Sequence, residues 1–212
     1  MGMLSNTARL INIDVDMNSA LNEAIKLFYS GKVFIYPTDT IYGFGCNPFD
    51  NKALERLKIL KGRQEEKKFI LLIDSIETLL KYTITIDSRK INLLEALWPN
   101  PVSVVLKLKD EKAKDLNSDN AAFRIPDHSF CLNLLKGIKK PLISTSVNLS
   151  NEAPLNDYLT IKDKFADKVS AVFYSQKKLN AEPSTLVDLT GSEPVVLREG
   201  KINFIDFAKK FY

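Results

Sequence analysis

The sequence is poor in the residues that most often announce chemistry. It has one histidine, His128, in 212 residues, and two cysteines, Cys46 and Cys131. One histidine excludes a His-rich metal site and leaves a histidine-based triad a single candidate base. The cysteines fall in no CxxC or Cys/His grouping, so they are expected to be reduced, buried thiols. No apolar run approaches the roughly 18–20 residues of a membrane span. Asn12, Asp14 and Asp16 interrupt the single apolar stretch near the start. A signal-peptide core is therefore missing, and a cytoplasmic location with no membrane partner is expected. The common phosphate loop GxxxxGK(S/T), the dinucleotide motif GxGxxG and the nucleophile elbow GxSxG are all absent. A bound nucleotide would have to be held by other means.

What remains is the balance of an ordinary globular chain, 45% hydrophobic and 26% charged. A chain of this length can bury a substantial core, and no linker divides it, so a single domain over 1–212 is expected. The formal charge of +4 is too mild to establish nucleic-acid binding, but it suits an anionic substrate.

Strand and helix patterns are mixed throughout. Asn18 can cap a helix with Leu21, Ala24, Ile25 and Phe28 on one face, and Gly31 ends it. Residues 32–36 read as a buried strand ended by Pro37, and 37–45 as a loop. Asp50 opens a helix that Gly62 closes. A strand at 69–73 is followed by a capping-box spacing from Asp74 to Glu77. A helix runs from Asp87 until Pro99 stops it. Strands follow at 102–109, 121–125, 141–144, 169–174, 185–189 and 194–198. Helices are expected at 131–136, 161–167 and after 204, and 109–120 reads as a surface loop. The class is α/β.

Several segments carry candidate chemistry, each with a plainer reading beside it. Pro37-Thr38-Asp39-Thr40-Ile41-Tyr42-Gly43-Phe44-Gly45 follows a buried strand, where α/β folds hold ligands, or it is an ordinary turn. Lys61-Gly62-Arg63 sets two cations at a helix end, either as helix caps or as phosphate or carboxylate ligands. Arg124 in Phe123-Arg124-Ile125-Pro126 needs an anion, which an internal carboxylate or a ligand could supply. Ser144-Thr145-Ser146-Val147-Asn148 is either a polar turn or a cradle for ribose or phosphate oxygens.

In this order, seven segments are similar to the YrdC-like family of threonylcarbamoyl-AMP synthases. They are PTDTIYGFG at 37–45, KGR at 61–63, LWPNPVSVVL at 97–106, FRIP at 123–126, STSVNLS at 144–150, PSTLVDLTG at 183–191 and VVLREG at 195–200. The resemblance implies a short, single-domain form with a twisted, mostly parallel open sheet and flanking helices around a large basic concave site. It implies that L-threonine, bicarbonate or carbon dioxide, and ATP with Mg2+ give threonylcarbamoyl-AMP and pyrophosphate. That product serves threonylcarbamoyladenosine formation in tRNA, through downstream threonylcarbamoyl-transfer proteins. The family's signature falls on Lys61, Arg63, Ser146 and Asn148 as catalytic residues. Threonine-binding positions fall on Thr38, Arg124, Ser144 and Ser184. ATP-binding positions fall on Lys61, Asn120, Ser146, Pro154 and Arg198. No protein metal ligand is implied.

The chain departs from the family at Gln64 and Lys68, where prolines are usual, and at Asn100 and Asn151, where glycines are. Val147 replaces a common alanine and Asn120 a threonine. None of these removes a charged or hydroxyl group of the signature. The competing reading is a double-stranded RNA- or tRNA-binding protein of the same fold without synthase activity.

Overall fold

The computed structural model describes residues 8–62, 69–150, 152–177, 179 and 182–211. In chain order the elements are β1 (Arg9–Asn12), α1 (Met17–Tyr29), β2 (Phe34–Tyr36), β3 (Gly43–Gly45), α2 (Asn51–Lys61), β4 (Ile70–Leu72), α3 (Ile76–Tyr82), α4 (Ser88–Leu97), β5 (Val102–Lys107), α5 (Asp110–Leu116), β6 (Asn120–Arg124), α6 (Ser129–Ile138), β7 (Leu142–Ser146), α7 (Tyr158–Phe165), β8 (Ala171–Tyr174), β9 (Thr185–Asp188), β10 (Val195–Arg198) and α8 (Phe204–Ala208). The described residues fall into two compact units. One lies within 1–67 and 142–181, the other within 68–141 and 182–212.

The first unit holds strands in the order β1-β8-β2-β3-β7. β8 pairs in parallel with β1 and β2, and β3 pairs antiparallel with β2 and β7. Its core is aromatic. Phe34 meets Phe173 edge to face at 5.7 Å, and Phe44 meets Phe165 at 5.2 Å. All four rings are buried. Burial of such a side chain contributes about 1.5–3 kcal/mol.

The second unit holds β4-β6-β5-β9-β10. β6 is parallel to β4 and antiparallel to β5, while β9 is parallel to β5 and antiparallel to β10. Leu93, Leu94 and Leu97 of α4, Val104 of β5, Phe123 of β6 and Leu134 of α6 are fully buried. The α/β class with open sheets is as expected. The described pairings within the units divide into four parallel and four antiparallel, so the sheets are mixed rather than mostly parallel.

Several boundaries move for local reasons. α1 starts earlier than expected, because Asp16 rather than Asn18 accepts from the Ser19 amide, at 2.9 Å. Ser75, not Asp74, caps α3 by accepting from the Thr78 amide at 3.1 Å. The stretch 109–120 contains α5, which buries none of its residues and so shows no apolar periodicity. β3 is a Gly-Phe-Gly run with little strand preference, held in place by partners on both sides. Asn100 takes no positive φ, and its amide donates to the Leu97 carbonyl at 2.6 Å, so the missing glycine brings no backbone strain.

Candidate functional site

The first polar cluster is built where α2 stops. Asp50 caps the start of α2 by accepting from the Ala53 amide at 3.0 Å. Gly62 ends it in the left-handed region at φ +59, a conformation glycine takes without a Cβ clash. The last helical residue, Lys61, points inward and is 1% exposed. Its Nζ donates to the Ser146 carbonyl at 2.6 Å, the Asn148 Oδ1 at 2.8 Å and the Asn148 carbonyl at 3.3 Å. The Phe44 ring lies 5.7 Å from the same ammonium, within cation–π range. Ser146 Oγ donates to Asn148 Oδ1 at 2.7 Å, and Asn148 Nδ2 donates to the Glu152 carbonyl at 2.6 Å. The Ser150 amide closes the loop onto the Lys61 carbonyl at 2.9 Å.

Three of the four expected catalytic residues, Lys61, Ser146 and Asn148, therefore meet directly. The Lys61 Nζ has three hydrogen-bond acceptors among the chain's own oxygens, two of them backbone carbonyls and one the Asn148 amide oxygen. Arg63 lies outside the described residues, as do Gln64, Lys68 and Asn151.

Other expected residues of this unit also serve its loops. Thr38 is 1% exposed. Its hydroxyl donates to the Ile41 carbonyl at 2.7 Å and accepts from the Thr40 and Ile41 amides at 3.1 and 3.2 Å. It thus shapes the 37–45 loop, in the manner of a Ser/Thr turn. Ser144 is buried in β7. Pro154 is half-buried in the segment that returns to Val147 through the Leu155 amide at 2.8 Å.

The second cluster lies in the other unit. Arg124 ends β6 and is 3% exposed. Arg198 ends β10, and its Nε and Nη2 donate to the Ser184 carbonyl at 3.2 and 2.8 Å. Nη2 also donates to Ser184 Oγ at 3.2 Å. Partial withdrawal from water, and then the like charge of Arg124, push the Arg198 guanidinium below its ordinary pKa. Among the described residues Arg198 has no carboxylate partner. Gly200 lets the chain pass close by: a Cβ there would sit 2.5 Å from both the Pro183 carbonyl and the Thr185 amide.

Arg124, Ser184 and Arg198 are thus brought together. Asn120 is not with them, because it opens β6 while Arg124 ends it, about 13 Å along an extended strand. Sequence reasoning passed over Ser103, whose fully buried Oγ lies 2.9 Å from Ser184 Oγ. Its signal was a hydroxyl at a buried position in an otherwise apolar strand, Val102 to Leu106. Among the described residues no group of three or more His, Cys, Asp or Glu could hold a metal ion. No described helix is long and apolar enough to cross a membrane.

The chain is similar to named proteins along most of its length. It is 34% identical to a threonylcarbamoyl-AMP synthase of Pseudoalteromonas translucida, over 80% of this chain and 93% of that one. Escherichia coli YciO matches with a TM-score of 0.83 at 27% identity, covering 96% of this chain and 98% of that one. P. abyssi Sua5, solved in complex with L-threonine, matches with a TM-score of 0.85 at 25% identity. That match covers 95% of this chain but 60% of the longer Sua5 chain. A family model for Sua5, YciO and YrdC, described as telomere recombination, matches residues 26–200 and so takes in both clusters. This chain belongs to the Sua5/YciO/YrdC family.

Proposed function

We propose that this protein is a threonylcarbamoyl-AMP synthase, a nucleotidyltransferase that acts on L-threonine, bicarbonate or carbon dioxide, and ATP. The observation that carries the reading is Arg198. Its guanidinium is partly withdrawn from water, feels the like charge of Arg124 and is bonded to neutral oxygens of Ser184, an arrangement that an anionic ligand would stabilise. The synthase name of the Pseudoalteromonas relative and the L-threonine of the Sua5 complex supply the chemistry.

In this reading the threonine-binding roles fall on Thr38, Arg124, Ser144 and Ser184, with Arg124 and Ser184 on the carboxylate. Arg198, Lys61, Ser146, Asn120 and Pro154 serve the nucleotide. Lys61, Arg63, Ser146 and Asn148 support the chemical step. The threonine amine adds to carbon dioxide to form a carbamate and loses a proton to water. A carbamate oxygen then attacks the α-phosphorus of ATP, and the bond to the β-phosphate oxygen breaks to release pyrophosphate. No side chain need become covalently attached. The task of the protein is to hold mutually repelling anions with fixed positive charge. Magnesium would accompany the ATP phosphates, where it would offset their charge. The product would pass to a transfer protein that modifies tRNA in the cytoplasm.

The test is incubation of the folded protein with ATP, bicarbonate, magnesium and labelled L-threonine. The expected result is threonylcarbamoyl-AMP with threonine-dependent pyrophosphate. Folded protein that releases none refutes the reading.

A further inference from the structure

We propose that Ser103 is a positioning residue, which turns the Ser184 hydroxyl so that its hydrogen is directed to a carboxylate-bearing substrate. The inference rests on the synthase reading and deepens it.

A hydroxyl has one hydrogen to donate and two lone pairs to accept with. Ser184 Oγ already accepts from Arg198 Nη2 at 3.2 Å. Its second contact is Ser103 Oγ at 2.9 Å, a pair in which either oxygen can be the donor. The direction of that single bond decides what Ser184 can do. If Ser103 accepts, the Ser184 hydrogen is spent inside the protein. If Ser103 donates, both lone pairs of Ser184 are filled and its hydrogen must go elsewhere. An anion is the acceptor that selects the second arrangement, because both hydroxyl hydrogens then have partners.

Ser103 is placed for this and for little else. It is fully buried, and among the described residues its hydroxyl bonds to Ser184 alone. Val104 of β5 pairs with Phe123 of β6, so Ser103 and Arg124 are the next neighbours along the two strands. Neighbours across a ladder share one face of the sheet. On the other side of β5, Val102 pairs with Thr185, the residue after Ser184. The strand register therefore gathers two hydroxyls and two guanidiniums, Ser103, Ser184, Arg124 and Arg198, with Ser103 beneath the hydroxyl that meets the ligand. Leaving a buried polar atom unpaired is costly, so a substrate lacking the carboxylate would be disfavoured by the same pair.

The experiment uses Ser103→Ala, and the shape-matched pair Ser103→Thr and Ser103→Val. KM for L-threonine and for ATP, kcat and thermal unfolding are measured for each, with L-threonine binding followed by calorimetry. Ser103→Ala and Ser103→Val should raise the threonine KM and Kd about three- to tenfold, the span of one neutral hydrogen bond. KM for ATP and kcat should stay near wild type, and Ser103→Thr should restore threonine affinity. In Ser184→Ala the further change Ser103→Ala should have no added effect on threonine. Threonine affinity unchanged in Ser103→Ala, equal in the Thr and Val variants, or additive with Ser184→Ala overturns the inference and leaves the synthase reading intact. Wild-type protein that neither binds nor turns over L-threonine overturns both.

Discussion

The Lys61 ammonium is a strut as well as a charge, and Lys61→Met separates the two. Methionine keeps most of the buried stem and removes the donor from the Ser146 carbonyl, the Asn148 carbonyl and Asn148 Oδ1. Hydrogen bonds to a charged group contribute about 1.5–3 kcal/mol each, giving roughly 4–9 kcal/mol of gross loss for three. Relief from burying an ammonium offsets part of this, so a net loss of about 2–4 kcal/mol is expected. For a chain of this size that is a fall in Tm of about 5–15 °C. A domain with a stability of about 5–15 kcal/mol remains folded at 25 °C. Two amides report on the loop itself: Ser150 bonded to the Lys61 carbonyl, and Leu155 bonded to the Val147 carbonyl. Both should exchange faster in the variant, and exchange elsewhere in the same unit should change less. The assay is thermal or urea unfolding with amide exchange, run without substrates. A Tm within about 1 °C of wild type, with unchanged exchange at Ser150 and Leu155, would refute the anchoring role. Lost activity in Lys61→Met would then reflect the missing charge alone.

Two further outcomes follow from backbone geometry and from burial. Gly62→Ala and Gly200→Ala should differ sharply. An added Cβ at Gly62 meets nothing within 4 Å, so its cost is the left-handed φ, about 1 kcal/mol. At Gly200 the same atom meets three backbone atoms of 183–185 at 2.5–2.6 Å, so Ser184 must shift. Gly200→Ala should lower Tm more than Gly62→Ala and raise the threonine KM, and equal effects in both would contradict this. Burial, and then the charge of Asp50, push the Cys46 thiol from 9.0 to about 12. In the unfolded chain the thiol ionises near 9.0, while the folded chain keeps its proton until about 12. Its contribution is fully present below the lower value and falls by about 1.4 kcal/mol per pH unit between the two. Cys46→Ala should flatten that alkaline fall in urea unfolding; an identical slope in the variant rules the cause out.

Local signals were read well where one residue decides the outcome. The Asp50 cap and the Gly62 stop depend on the chemistry of those residues, and both are present. The buried strands around Ile35, Leu71 and Val172 were legible because a run of apolar side chains has few other places to go. α5 escaped notice because it buries nothing, and β3 because glycine carries no strand preference of its own. The order of the seven segments along the chain is enough to point to the family.

The sequence by itself determined the class of elements, some of their caps, and which residue types were available for chemistry: one histidine, no phosphate loop, and a set of lysine, arginine, serine and asparagine. It left open whether Lys61 caps a helix, holds phosphate or does both, and what Arg198 faces. Tertiary structure supplied the protein partners of both side chains. It set the Lys61 ammonium on oxygens more than eighty residues away and laid Arg198 over Ser184 beside Arg124. It also set the buried Ser103 hydroxyl against that of Ser184, eighty-one residues away. The physical reason is range. Caps and turns are settled by interactions within a few residues, which composition and spacing record to within a residue or two. The partner of a buried donor is settled by strand register, which spacing along the chain does not encode.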